Sequence, residues 1–196
     1  MIDTMEKRKN TTKIIAGTGI LLAIELILQA IANVIAIGPV SLNFSAIPIA
    51  LAGIVYGPLS GAILGLCSGV MVLFAPSTSF FFNESIWGTV VTCLLKGLGA
   101  GIIPSLVYLP FRKKHQYIGS FISSILVPLL NTGIFVGCCF LFFQGIYSKS
   151  QGSYATPFSF FTLGLVSWNF IFEFSTTILL TPIIYKIIKI KEKASY

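Results

Sequence analysis

Long apolar runs separated by short polar or aromatic breaks dominate this chain, at about 14–36, 46–75, 86–109, 118–143 and 158–185. A helical bilayer crossing needs roughly 20 apolar residues, so these runs predict membrane helices rather than buried core helices. The basic start Lys7-Arg8-Lys9 resembles a secretory signal. The run behind it, however, is longer than a signal core, carries Glu25 and lacks an Ala-x-Ala cleavage site, so it is read as a membrane helix.

The run at 46–75 is too long for one crossing and short for two full ones, and Tyr56-Gly57-Pro58 sits near its middle. Proline cannot continue an ordinary helix, which predicts two short helices at about 46–56 and 60–75. Charge settles the parity. Eleven of the 13 Lys and Arg residues lie in three clusters: Lys7, Arg8, Lys9 and Lys13; Arg112, Lys113 and Lys114; Lys186, Lys189, Lys191 and Lys193. Basic loops stay cytoplasmic, so an even number of crossings separates each cluster from the next.

The expected fold is therefore all-α: a compact bundle of six transmembrane helices in the plasma membrane, with both termini cytoplasmic and short second and third helices. One membrane domain results, with a cytoplasmic tail at 1–12, the bundle at 13–186 and a second cytoplasmic tail at 187–196. The loops near 37–45, 76–85 and 144–157 then face outward. They mix rings and hydrogen-bonding groups, among them Asn43, Phe80, Phe81, Phe82, Asn83, Tyr147 and Tyr154. Interfacial anchoring and a lid over an outward pocket both fit that mixture.

Composition agrees with a membrane chain: 55% hydrophobic, 10% charged, 17 Phe. The net charge of +7 reflects orientation rather than nucleic-acid binding, because the cations lie at helix ends on one expected side. Glycines at intervals of four (Gly53 and Gly57; Gly61, Gly65 and Gly69; Gly97 and Gly101) predict tight helix seams.

Glu25, Lys96 and Glu173 are the charged residues inside the apolar runs. At bilayer depth an ionisable group faces a partner, a cavity or a substrate. Glu25, Gln29 and Asn33 follow at intervals of four and share one helix face. Asn169 and Glu173 form a similar pair beside Trp168, while Lys96 and Asn131 lie near the middle of their helices. Four helices thus offer polar groups at comparable depth, which predicts a binding cavity. An alternative is a buried ion pair of Lys96 with Glu25 or Glu173, the amides serving as interhelical glue. One Lys cannot neutralise two Glu, so one carboxyl is expected to be protonated, solvated or otherwise bonded.

Enzymatic patterns are missing from the sequence. It has no Gly-x-x-x-x-Gly-Lys-Ser/Thr loop for ATP and no His-Glu-x-x-His metal motif. The single histidine, His115, sits in the basic loop. Cys67, Cys93, Cys138 and Cys139 lie in expected helices without Cys-x-x-Cys spacing and read as reduced packing residues. No metal, and no cofactor held by this chain, is expected.

Ser41-Leu42-Asn43-Phe44-Ser45-Ala46-Ile47-Pro48-Ile49, followed by Ala52-Gly53-Ile54-Val55-Tyr56-Gly57-Pro58-Leu59-Ser60-Gly61, resembles the substrate-binding S components of energy-coupling factor (ECF) vitamin transporters. Leu94-Leu95-Lys96-Gly97-Leu98-Gly99-Ala100-Gly101 before the basic loop is similar as well. The resemblance implies a six-helix subunit that captures a vitamin from outside and associates with a transmembrane coupling subunit and two cytoplasmic ATPases, which use ATP and Mg. The expected substrate contacts are Gln29, Asn33, Asn43, Phe82, Asn83, Trp87, Lys96, Asn131, Trp168 and Asn169. The resemblance also implies docking through Ala16, Gly19 and Ala23, although the Gly19-x-x-x-Ala23 pair departs from the family's Ala-x-x-x-Ala. Asn131-Thr132-Gly133-Ile134-Phe135, and Phe81-Phe82-Asn83 leading into Gly88-Thr89, look most like pantothenate-type members. Riboflavin and folate members share parts of the other motifs.

Overall fold

A computed structural model of the chain describes residues 2–34, 36–37, 40–41, 44–149, 156–164 and 167–193. Helix α1 spans Ile2–Val34, and a two-residue strand β1 (Ala36–Ile37) then pairs antiparallel with β2 (Val40–Ser41). Helices α2 (Ala46–Tyr56) and α3 (Pro58–Leu73) follow. A 3-10 turn at Pro76–Thr78 and the one-turn α4 (Ser79–Phe82) lead into α5 (Ile86–Tyr108). A second 3-10 turn at Leu109–Arg112 precedes α6 (Gln116–Phe142). Then come α7 (Gln144–Lys149), α8 (Pro157–Ser159) with a π-helical turn at Phe160–Gly164, and α9 (Ser167–Lys193). Helix α1 starts ahead of the expected apolar run and α9 ends beyond it, so both extend into their basic termini.

The expected break at Gly57-Pro58 is present, and its cause is local. Gly57 has φ +104°, a backbone conformation that a Cβ disfavours, and Pro58 follows at the first position of α3, where its missing N–H costs nothing. Helix α5 starts where the Ser85 hydroxyl accepts the Gly88 N–H at 3.1 Å.

Helices α3 and α5 meet backbone to backbone. A methyl group added to Gly65 would strike the Gly97 carbonyl oxygen, and one on Gly101 would strike that of Gly61. This is the small-residue packing that membrane helices use where lipid supplies no hydrophobic drive.

Paired contacts fix the direction of each helix. Gly61, Gly65 and Gly69 of α3 oppose Gly101, Gly97 and Cys93 of α5, so these two run antiparallel. Thr18 and Asn33 of α1 meet Ser60 and Met71 of α3 in the same order, so α1 and α3 run parallel. Along α5 and α6, Gly88 and Gly99 face Phe142 and Ile134; along α6 and α9, Tyr117 and Asn131 face Tyr185 and Glu173. Gly53 of α2 packs on Gly61 and Ser45 at its start bonds Ser68, so α2 opposes α3, and helices α1, α2, α3, α5, α6 and α9 alternate in direction. Lys13, the Arg112–Lys114 turn and Lys186 and Lys189 gather at one end of the bundle.

Length tells a more limited story than parity. Thr11–Val34, Ile86–Arg112, Gln116–Phe142 and Phe170–Ile190 are long and apolar enough to cross a membrane, and α3 with Pro76–Phe82, bent by 70°, makes a fifth candidate. Helix α2 has 11 residues, about 16 Å at the helical rise, well under a 30 Å hydrocarbon core. Six full-length crossings are thus not what length alone supports.

Two apolar clusters form the core. One joins Ile49, Leu64, Ala100, Tyr108, Val127 and Ile184 in the body of the bundle; the other gathers Phe81, Phe143, Ile146, Phe160 and Phe161 at the end away from the basic clusters.

Candidate functional site

The aromatic cluster caps the bundle. Phe81 is buried, with its ring edge-on to Phe135 at 5.5 Å and to Phe143 at 5.2 Å. Phe140 meets Phe158 and Phe161, Tyr147 meets Phe160, and Phe44 meets Phe172. Segments that precede α2, precede α5 and precede α9 thus converge over one end of the helices.

Lys96 is half-buried beneath this cap, its Nζ 5.4 Å from the centre of the Phe135 ring. A cation over a ring face is attracted by the quadrupole of the ring. The Asn131 side-chain amide, one turn from Phe135, donates to Glu173 Oε2 at 3.4 Å, and Glu173 is fully buried. Lys96, Asn131 and Glu173 therefore lie on three adjacent helices, α5, α6 and α9.

Gln29 and Asn33 face inward as their spacing predicts, but their bonds go to each other and to α3. Gln29 Nε2 donates to Asn33 Oδ1 at 3.0 Å, and Asn33 Nδ2 donates to the Met71 carbonyl at 3.3 Å. The Ser68 hydroxyl lies 3.4 Å from Gln29 Oε1 and 3.1 Å from Ser45 Oγ. Glu25, one turn before Gln29, is fully buried, and neither carboxyl oxygen has a hydrogen-bond partner among the described residues. Lys96 therefore does not neutralise Glu25. The two belong to separate polar groups.

Of the other expected contacts, Phe82 is half-buried, Asn83 is exposed and Trp87 is 81% exposed on the first turn of α5. Asn43 and the side chains of Trp168 and Asn169 lie outside the described residues. Ala16, Gly19 and Ala23 are exposed along one face of α1, opposite Thr18, Leu21, Glu25 and Gln29. A Cβ on Gly19 would meet open space.

Sequence reasoning named Phe81 only as one of several loop rings, and gave no separate role to Phe135, Ser45 or Ser68. The Phe triplet signalled that a ring turns inward, but only the single turn of α4 selects Phe81. Ser45 and Ser68 carry no signal, because isolated serines are ordinary in membrane helices.

Among the described residues, two cavities lie near the site. Ser45, Ser68, Gly97, Ala100, Val127 and Asn131 line a cavity of about 10 Å³ at the bundle centre, against the 300–1,000 Å³ typical of a ligand pocket. A larger cavity of about 450 Å³ lies between α6 and α9, lined by Leu129, Thr132, Gly133, Val136, Thr162, Phe170 and Ile171.

The family model described as ECF transporter, substrate-specific component, matches residues 13–185. The chain belongs to the ECF transporter substrate-specific components. Members of this family are the substrate-binding subunits of transporters rather than enzymes, and they work with an ECF module and a small-molecule substrate. No curated protein and no solved structure matches the chain.

Proposed function

We propose that this ECF component captures a water-soluble vitamin carrying a carboxylate, pantothenate being the best fit, from outside the cell under the aromatic cap. The observation that carries the choice of an anion is Lys96, half-buried against Phe135 and not paired with Glu25. A buried ammonium gains most from a charge-assisted bond to a carboxylate. Asn131 and Asn169 would serve the amide and hydroxyls; Asn43, Phe82, Asn83, Trp87 and Trp168 would contribute as the cap closes. Gln29 and Asn33, bonded to α3, would act by holding α1 in position.

The gathering of basic residues at one bundle end supports six crossings with both termini cytoplasmic, since positive segments stay inside. The exposed Ala16, Gly19 and Ala23 face would dock the transmembrane coupling subunit, whose two ATPase partners would use ATP and Mg. Because the central cavity is small, the cap must part for the vitamin to enter.

The mutually bonded Gln29, Asn33 and Ser68 favour a second reading for α1, in which its amides serve only packing. Mass spectrometry of small molecules that co-purify with the protein tests the proposal, followed by calorimetry with pantothenate, riboflavin and folate. One vitamin per chain is expected. Failure of all three to bind would overturn the vitamin assignment, folate in place of pantothenate would overturn the choice of pantothenate but keep the anion, and riboflavin in place of pantothenate would overturn the anion argument built on Lys96.

A further inference from the structure

Two hydrogen-bonded half-chains approach each other at the centre of the bundle. One runs from Asn33 and Gln29 on α1 through Ser68 on α3 to Ser45 at the start of α2. The other runs from Glu173 on α9 to Asn131 on α6. Ser45, Ser68 and Asn131 all line the same cavity of about 10 Å³. That volume is at the threshold for one water, which also needs two to four polar partners. Two hydroxyls and an amide provide three. Ala100 shares the lining, and the residue that would normally donate to its carbonyl is Pro104, which has no N–H.

We propose that Ser45, Ser68 and Asn131 hold a single internal water, and that this water completes a polar relay from the candidate substrate site to α1. The water molecule accepts the Asn131 amide proton or donates to its oxygen, and it bonds the serine hydroxyls on its other side. The single Ser68 hydroxyl proton serves either Gln29 or its cavity partners at one time. A change at Asn131 therefore alters the bond that Gln29 receives. Glu173, Asn131 and the water would in this way report the state of the vitamin site to the helix whose opposite face is exposed. The purpose of the relay rests on the proposed function; the water itself does not.

The test uses full-length, isotope-labelled protein in nanodiscs without vitamin. A dipolar cross-peak between water and the Asn131 side-chain amide is expected in the wild type, weakened in Ser45→Ala and lost in the Ser45→Ala/Ser68→Ala double variant. The Gln29 side-chain amide resonance should shift in Asn131→Leu, and should not shift when Asn131→Leu is made in the Ser68→Ala background. A folded wild type without the cross-peak, or a cross-peak unchanged in Ser45→Ala, overturns the water. A Gln29 shift that persists without Ser68 overturns the relay. If the double variant fails to fold, Ser45→Ala alone decides, since it leaves the Ser68 bond to Gln29 intact. Vitamin calorimetry on the wild type separates the two readings: lack of vitamin binding would count against the proposed function and leave the water readouts, taken without vitamin, standing.

Discussion

Lys96 and Glu25 sit in the same membrane-embedded bundle and meet different fates. The ammonium has an aromatic face; the carboxyl is fully enclosed, near the Ser68 hydroxyl but with neither oxygen closely hydrogen-bonded. A charge-assisted contact is worth about 2 kcal/mol, roughly thirtyfold in affinity. Lys96→Met should therefore weaken vitamin binding by about that factor in calorimetry while the thermal midpoint holds. Glu25→Gln should behave oppositely. It removes an ionisable group whose burial is costly when uncompensated, so the midpoint should stay or rise and vitamin affinity should not change. A midpoint drop of several degrees would show that Glu25 has a partner that makes it structural.

At the scale of helices, two kinds of contact hold the bundle, and they differ in size. The α3–α5 seam depends on glycines whose Cβ would collide with backbone, so Gly65→Ala should cost about 1–3 kcal/mol through overpacking. Its readout is a lower thermal midpoint, and an unchanged midpoint would contradict the seam. Gly19→Leu is the contrast: it points into open space, so the isolated protein should stay as stable while co-purification with the coupling subunit falls. Between α1 and α3, Thr18 and Ser60 share a hydrogen bond at 2.9 Å. Bonds of this kind between membrane helices average about 0.6 kcal/mol in double-mutant cycles. Thr18→Ala should therefore lower the thermal midpoint less than Gly65→Ala does.

The described bundle is polarised: basic residues at one end, the cluster of Phe81, Phe143, Phe160 and Phe161 at the other. If the basic end is cytoplasmic, a membrane-impermeant thiol reagent should label Asn83→Cys on intact cells and leave Lys113→Cys unlabelled until the membrane is opened, in a background lacking the native cysteines. The reverse pattern would invert the protein and remove the outward-facing cap. The same polarity bears on how a ligand reaches the interior. Rings contributed by separate segments close the cap, and edge-on ring pairs each add only about 0.5–1.5 kcal/mol beyond burial, so parting them is within reach of a ligand's binding energy.

The sequence by itself determined the helical membrane character, the break at Gly57-Pro58, the shared end of the basic clusters and the inward face of Glu25 and Gln29. The break and the inward face follow from local geometry (a missing N–H, a 3.6-residue period), the membrane character from the length of the apolar runs, and the shared end from the parity of crossings between basic clusters. Tertiary structure alone decided the partners. Periodicity says which side of a helix is polar, but not which neighbour it meets. That depends on how closely the glycine seam draws α3 and α5 together, and on the rotation of the chain after each turn. For this reason Gln29 and Asn33 meet α3, Lys96 meets Phe135 rather than Glu25, and Phe81 rather than Phe82 fills the cap.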